Sequence, residues 1–301
     1  MRFRTNIALA ALCCSSGFCA ASVTTVTTFS AANNRNVSFQ VYLPPNYATP
    51  GVTTRYPVVY SLHGIGGTSL QRASIAAPTL DSLINSQQAP PMIWVFPDGQ
   101  TDSFYGDAFD GHKQVYSNVI NEVLPYVDAN YRTIADRDHR AMEGFSMGGF
   151  GAAMYAAKHP ELFSAVVESG GALSKWQDLV NFNNAVADEM YDLSEANFLP
   201  YSLWSLTAAN ADTLRTTVNY KMIVGDADPQ QGSNERFRDY LLSLNIDPHY
   251  QVLPGVAHVG GSYFAEGSNV RFLGEHFRSV PEPAGCGVAL LVLLFPTRRR
   301  R

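Results

Sequence analysis

The five residues Gly144-Phe145-Ser146-Met147-Gly148 place a serine between two glycines in the pattern Gly-x-Ser-x-Gly. A hydroxyl at the tip of a sharp strand-to-helix turn is exposed for attack on a carbonyl, and small flanking residues let such a turn close. Ala141-Met142-Glu143 reads as the short strand before the turn, and Phe150 to His159 as the helix after it. The first amides of that helix point at developing negative charge. A second glycine-rich segment, His63-Gly64-Ile65-Gly66-Gly67, follows the apolar run Val58 to Leu62. Acyl transfer needs hydrogen-bond donors aimed at the developing oxyanion, each worth roughly 3 kcal/mol. The backbone amides of Ile65 and Met147 are assigned to this oxyanion hole, with Gly64 as the alternative to Ile65. His63 reads as part of the loop's architecture, not as a base.

A nucleophilic serine needs a base, and the base needs a group to orient it. Where the serine sits on such a turn, the acid and then the histidine follow it in the chain. Four histidines come after Ser146. His159 lies on the helix of the nucleophile and points away, His276 falls in a terminal helix, and His249 precedes the last strand at its wrong end. His258, in the loop Pro254-Gly255-Val256-Ala257-His258 after that strand, is the candidate base. For the acid, Gly225-Asp226-Ala227-Asp228-Pro229 follows the run Tyr220 to Val224. Asp228, further into the loop, is favoured over Asp226, which is expected to shape the turn.

The elements that must position these residues show as alternating patterns. Val23 to Phe29 and Val37 to Leu43 read as an opening pair of strands. Val58 to Leu62, Ile93 to Pro97, Ala141 to Gly144, Ala165 to Glu168, Tyr220 to Val224 and Tyr250 to Leu253 are short apolar runs of the kind buried on both faces. Between them, Val119, Ile120, Val123, Leu124 and Val127 share one helical face, as do Phe237, Tyr240, Leu241 and Leu244. Strand followed by helix, repeated, implies an α/β fold with a mostly parallel sheet covered on both sides. Lys175 to Asn210 breaks the alternation. It carries Trp176, Phe182, Met190, Tyr191, Phe198, Tyr201 and Trp204, which read either as ordinary core or as a cap with an apolar wall over the site.

The chain of 301 residues is 46% hydrophobic and 16% charged, a balance that supports a packed core and excludes disorder. Its formal net charge is -5, and without its two arginine-bearing ends it has 15 basic against 25 acidic residues. A nucleic-acid partner is excluded by the missing basic face. Arg2 and Arg4, then an apolar stretch beginning at Ile7, then Ala20-Ala21-Ser22 predict a signal peptide over residues 1–21. The body, 22–279, has no cysteine; Cys13, Cys14 and Cys19 fall in the signal and Cys286 in the tail. This excludes a disulfide, a cysteine-rich zinc site and a thiol nucleophile in the body.

The tail, 280–301, runs Val280-Pro281-Glu282-Pro283, thirteen residues from Ala284 to Pro296, then Thr297 and four arginines. As a helix the apolar run spans only about 20 Å, against the roughly 30 Å of a bilayer's hydrocarbon core. This tail resembles the PEP-CTERM sorting signal of Gram-negative bacteria. The resemblance implies recognition by exosortase-type processing machinery and a final place at the cell surface or outside the cell.

The body resembles the esterase D family of α/β-hydrolases, above all its feruloyl-esterase-like members. The likeness covers roughly 35–278 and rests on His63 to Gly67 (HGIGG), Leu124 to Tyr131 (LPYVDANY), Asp136 to Arg140 (DRDHR) and Gly144 to Gly149 (GFSMGG). It implies the α/β-hydrolase fold, a triad of Ser146, Asp228 and His258, and oxyanion donors at Ile65 and Met147. The Gly225-to-Asp228 spacing carries the choice of Asp228. The family's frequent tryptophan after the HGIGG loop is absent, and 99–113 matches only loosely, which leaves the substrate side of the site unassigned. The implied function is that of a serine carboxylic-ester hydrolase acting through an acyl-enzyme with no cofactor and no metal. Its ester substrate would be a polysaccharide acetyl, a feruloyl ester or a short-chain acyl ester. The rival readings are an acyltransferase to a carbohydrate or alcohol acceptor and a non-catalytic surface binding protein.

Overall fold

The computed structural model describes residues 19–279. The expected sorting tail lies outside them, as does all of the expected signal segment except its last three residues. Among the described residues, eight strands form one sheet: β1 (Ser22–Ser30), β2 (Arg35–Leu43), β3 (Val58–Leu62), β4 (Ile93–Phe96), β5 (Arg140–Phe145), β6 (Ala165–Ser169), β7 (Asn219–Gly225) and β8 (His249–Leu253). Their order across the sheet is β1-β2-β4-β3-β5-β6-β7-β8. The first two strands form an antiparallel hairpin, and β2 meets β4 antiparallel through Val41 opposite Val95. From β4 to β8 every pairing is parallel. The opening pair and the six apolar runs of the sequence are these eight strands, and the arrangement is the α/β-hydrolase fold.

The strand period of two sends alternate side chains to opposite faces. On β3, Val58, Tyr60 and Leu62 join one buried cluster while Val59 joins the other. The second cluster is roofed by α1 (Ser69–Asn85), α11 (Gly260–Ala265) and α12 (Ser268–Ser279), through Ala76, Leu80, Phe264 and Leu273. Over the first lie α2 (Val115–Asn118), a π-helical turn (Val119–Val123), α3 (Leu124–Asn130), α4 (Met147–Lys158) and α10 (Gln231–Ser243). The helical face read from Val119 to Val127 therefore exists, with a wider turn placed ahead of Pro125, a residue that has no amide to give to a regular ladder.

The segment that broke the alternation folds as α5 (Trp176–Phe182), α6 (Asn184–Tyr191), α7 (Glu195–Phe198), a 3-10 turn (Leu199–Tyr201) and α8 (Leu203–Ala209), followed by α9 (Ala211–Thr217). Its aromatics are mostly core. Tyr191 and Phe198 are buried, Phe198 meets Phe150 of α4, and Trp204 packs on Phe237 and Tyr240. Phe182 is the exception and stands exposed.

A buried ion pair fixes the strand that leads to Ser146. Arg72 on α1 reaches both carboxylate oxygens of Glu143 on β5, at 2.5 and 2.7 Å, and donates through Nε to Ser61 Oγ at 3.0 Å. The Ser61 hydroxyl and the Asn269 amide donate to Glu143 as well. Helices α1 and α12 and strands β3 and β5 thus meet at one satisfied charge pair. Removing one partner strands the other charge in a place without water, so Arg72→Met should cost about 3–5 kcal/mol. Urea unfolding will show the midpoint fall; an unchanged midpoint would mean that the pair contributes nothing.

Candidate active site

Strand β5 ends at Phe145, and α4 starts at Met147. Between them Ser146 has φ 57° and ψ -119°, a region of backbone space that residues with a Cβ rarely enter. Packing forces this conformation. A Cβ on Gly144 would land on the carbonyl of Gly148, and one on Gly148 would land on the carbonyls of Leu62 and His63, all within 3.0 Å. Both glycines of the motif are therefore demanded by close backbone approach. The turn is pinned by three backbone bonds: Ser146 N–H to Ser169 O (3.0 Å), and the amides of Phe150 (3.1 Å) and Ala172 (3.0 Å) to Ser146 O.

The structure brings Ser146, His258 and Asp228 together from three separate loops at the carboxyl end of the sheet. His258 Nε2 lies 2.8 Å from Ser146 Oγ, and His258 Nδ1 lies 2.7 Å from Asp228 Oδ2. Asp228 is buried, whereas the His258 side chain is 28% exposed. Burial works against the charged form of Asp228. Hydrogen bonds from His258, Tyr263 and the Gln230 amide outweigh it and hold the carboxyl below its ordinary range. Asp226 turns outward and accepts the Gly255 amide at 2.7 Å, bracing the loop that carries His258.

The other histidines have structural partners. His63 Nε2 accepts the Gly99 amide at 2.9 Å, and its Nδ1 faces Gly64 O at 2.9 Å, so the ring ties the glycine-rich loop to the segment after β4. His159 bonds Tyr116 and Glu161, His276 bonds Ser164, and His249 opens β8. In the glycine-rich loop, the Gly66 amide goes to Thr101 O (2.8 Å) and the Gly67 amide to Gly64 O (3.0 Å). The earlier amides, of Gly64 and Ile65, are the ones left for an oxyanion. Gly64 itself abuts the turn, since a Cβ there would lie 3.2 Å from Ser146 Cβ. Met147 is buried at the first position of α4, and the Ile65 side chain is half exposed.

Two residues at the site had no signal in the sequence. Tyr263, on α11, donates its hydroxyl to Asp228 Oδ2 and accepts the Gly225 amide at 2.8 Å. Glu168, near the end of β6, is fully buried, and its Oε2 accepts the Gly171 amide at 2.9 Å. Burial pushes the Glu168 carboxyl up to about 8, the Gly171 bond opposing and the Asp228 charge adding. Asp228 and Glu168 are therefore driven in opposite directions. Among the described residues, no three His, Cys, Asp or Glu side chains are grouped to hold a metal ion.

The model of the family described as "Putative esterase" matches residues 30–233. The chain belongs to this esterase family. Among its relatives, esterase Rv1288 of Mycobacterium tuberculosis is 34% identical over 183 residues, 59% of this chain and 39% of that one. An endo-1,4-beta-xylanase/feruloyl esterase of Xylanibacter ruminicola is 35% identical over 144 residues, 46% of this chain and 20% of that one. The chain thus spans well under half the length of either relative. Among solved structures, a ferulic acid esterase superposes with a TM-score of 0.73 at 26% identity, covering 86% of this chain and 99% of that one. An S-formylglutathione hydrolase of Staphylococcus aureus shares the fold at a TM-score of 0.71 and 17% identity, covering 85% and 99%.

The raised Glu168 carboxyl makes a prediction about stability. Its contribution is fully present below the ordinary value of 4.5 and is lost as the pH rises through about 8. Glu168→Gln cannot ionise, so its melting temperature relative to the parent should climb between those two pH values and level off beyond them. Parallel melting curves across that range would contradict a neutral buried carboxyl.

Proposed function

We propose that this esterase is a serine carboxylic-ester hydrolase in which Ser146 is the nucleophile, His258 the base and Asp228 the orienting acid. The observation that carries the reading is the unbroken hydrogen-bond path from Asp228 through both nitrogens of His258 to Ser146 Oγ, at 2.7 and 2.8 Å. His258 removes the hydroxyl proton as Oγ bonds to the ester carbonyl carbon. The carbonyl π electrons move onto oxygen, and that oxyanion is held by the amides of Ile65 and Met147. The tetrahedral species collapses, the alcohol leaves with the proton from His258, and an acyl-serine remains. Water, deprotonated by the same imidazole, then releases the acid.

The substrate side is read as an acyl ester of the feruloyl, acetyl or short-chain type. Support comes from the feruloyl activity named for the Xylanibacter ruminicola relative and the ferulic acid named for the superposed esterase. The two ends of the chain support export, followed by sorting through an exosortase at Val280-Pro281-Glu282-Pro283 and a final place on or outside the cell.

Ser146→Ala should lower turnover of a chromogenic ester by about 10⁶ while leaving the melting temperature near the parent's. Retention of most activity would overturn the assignment. The pH profile gives a second expectation. Asp228, held below its ordinary range, keeps its charge as the pH falls toward acid. Activity should therefore fall toward acid with the slope of a single proton. A flat profile from pH 5 to 8 would remove the histidine base.

A further inference from the structure

The carboxylate that orients His258 receives more donors than orientation requires, and the way they divide between its oxygens is uneven. Asp228 Oδ1 takes the Gln230 amide at 2.7 Å. Asp228 Oδ2 takes both His258 Nδ1–H at 2.7 Å and the hydroxyl of Tyr263. Phenol and imidazole therefore compete for one oxygen. The phenol is placed tightly. Tyr263 is 1% exposed, its oxygen is fixed from the other side by the Gly225 amide, and its ring lies 5.4 Å from that of Phe145, which in turn lies 4.7 Å from the ring of His258. On the β6 side, a Cβ at Gly170 would sit 2.9 Å from Asp228 Oδ2 and 3.1 Å from the Tyr263 hydroxyl. A glycine at 170 therefore leaves the space that these two oxygens occupy.

We propose that Tyr263 is a positioning residue that sets the basicity of His258, by drawing part of the Asp228 charge into its own hydrogen bond. The proposal rests on the reading of Ser146, His258 and Asp228 given above. A carboxylate that shares its charge with a phenol stabilises the imidazolium less, so His258 gives up its proton at lower pH than it would beside an unshared carboxylate. Desolvation, with Asp228 adding to it, raises the Tyr263 hydroxyl far above its ordinary value, so it remains a donor throughout the working range. Two other charges bear on this cluster. Glu168 on β6 faces both Asp228 and Tyr263, and burial pushes its carboxyl up to about 8. Asp226 is turned away to the Gly255 amide.

The experiment is the pH dependence of kcat/KM for an ester substrate, measured on the full chain with phenylalanine or a fluorotyrosine at position 263. Tyr263→Phe leaves Asp228 Oδ2 to His258 alone, and the acid limb should move up by about half to one pH unit, with KM unchanged and kcat lowered. A fluorotyrosine keeps the hydroxyl and strengthens it as a donor, so its limb should move down. Opposite shifts support the proposal. A limb that stays in place for the fluorotyrosine protein overturns it, as does a Phe variant that melts earlier and loses kcat with its limb unmoved; a phenol that only plugs the end of β7 would behave that way. Ser146→Ala, run beside them, separates the two readings. If it keeps its turnover the triad falls, whereas an unmoved limb with Ser146 still essential removes only the role given to Tyr263.

Discussion

A serine at φ 57° persists only because the surrounding backbone leaves it no other conformation. The carbonyls of Leu62 and His63 press on Gly148, and the carbonyl of Gly148 presses on Gly144. The exit of β3 and the turn after β5 are thereby locked against each other with no side chain between them. This contact does two things at once. It lifts the Ser146 hydroxyl off the end of the sheet, and it sets the glycine-rich loop after β3 beside that hydroxyl. The proposed nucleophile and the amides proposed for the oxyanion come into register through one steric constraint. The charge pair of Arg72 and Glu143 lies just below on the same two strands, tied to Ser61 and Glu143, so the strands that meet at the turn are also fixed from beneath.

The parallel sheet supplies the rest. The acid loop after β7 and the histidine loop after β8 open at the same edge as the serine turn, and register pairs Gly225 with Leu253 across those strands. Close packing matters here too, since a Cβ at Gly225 would collide with the carbonyl of Val256. Electrostatics then separates two carboxyl groups a few residues from the same site. Asp228 has three donors and is held ionised, whereas Glu168 has one and is pushed up by burial. Hydrogen-bond supply, not residue type, decides which of them is an anion at neutral pH.

Much of this was legible in the residues themselves. The inner strands β3 to β7 showed as short apolar runs, because strands buried on both faces need continuous apolar side chains, whereas β1 at the sheet's edge is mostly exposed and rich in threonine. Gly144, Ser146 and Gly148 could be read because sterics allow so few alternatives there. His258 and Asp228 followed from position, as the loop residues after the last two strands. Tyr263 and Glu168 could not be found in the same way. Tyr263 sits on α11, where an aromatic reads as core, and its hydroxyl acquires meaning only once β7 ends beside it. Glu168 ends an apolar run and looks like a strand terminus meeting solvent, yet loops 170–171 and α10 close over it, with Asn234 of that helix donating to Gly171 O. The aromatics from Trp176 to Trp204 were ambiguous because core and cap use the same residue types; neighbours such as Phe150 and Phe237 separate them. The helical face from Val119 to Val127 was legible, but not the π character of its turn at Val119–Val123, because an apolar face keeps nearly the same spacing in a π turn as in an α turn.

The most direct test of covalent chemistry at Ser146 is to catch the intermediate. The protein would be mixed with a large excess of a slowly deacylating aryl ester, quenched in acid within the first turnover, and examined by intact-mass and peptide mass spectrometry. One acyl group per chain, located on the peptide containing Ser146 and forming as fast as the burst of released alcohol, is the expected result. Ester turnover with no adduct, or an adduct on any other residue, would contradict it.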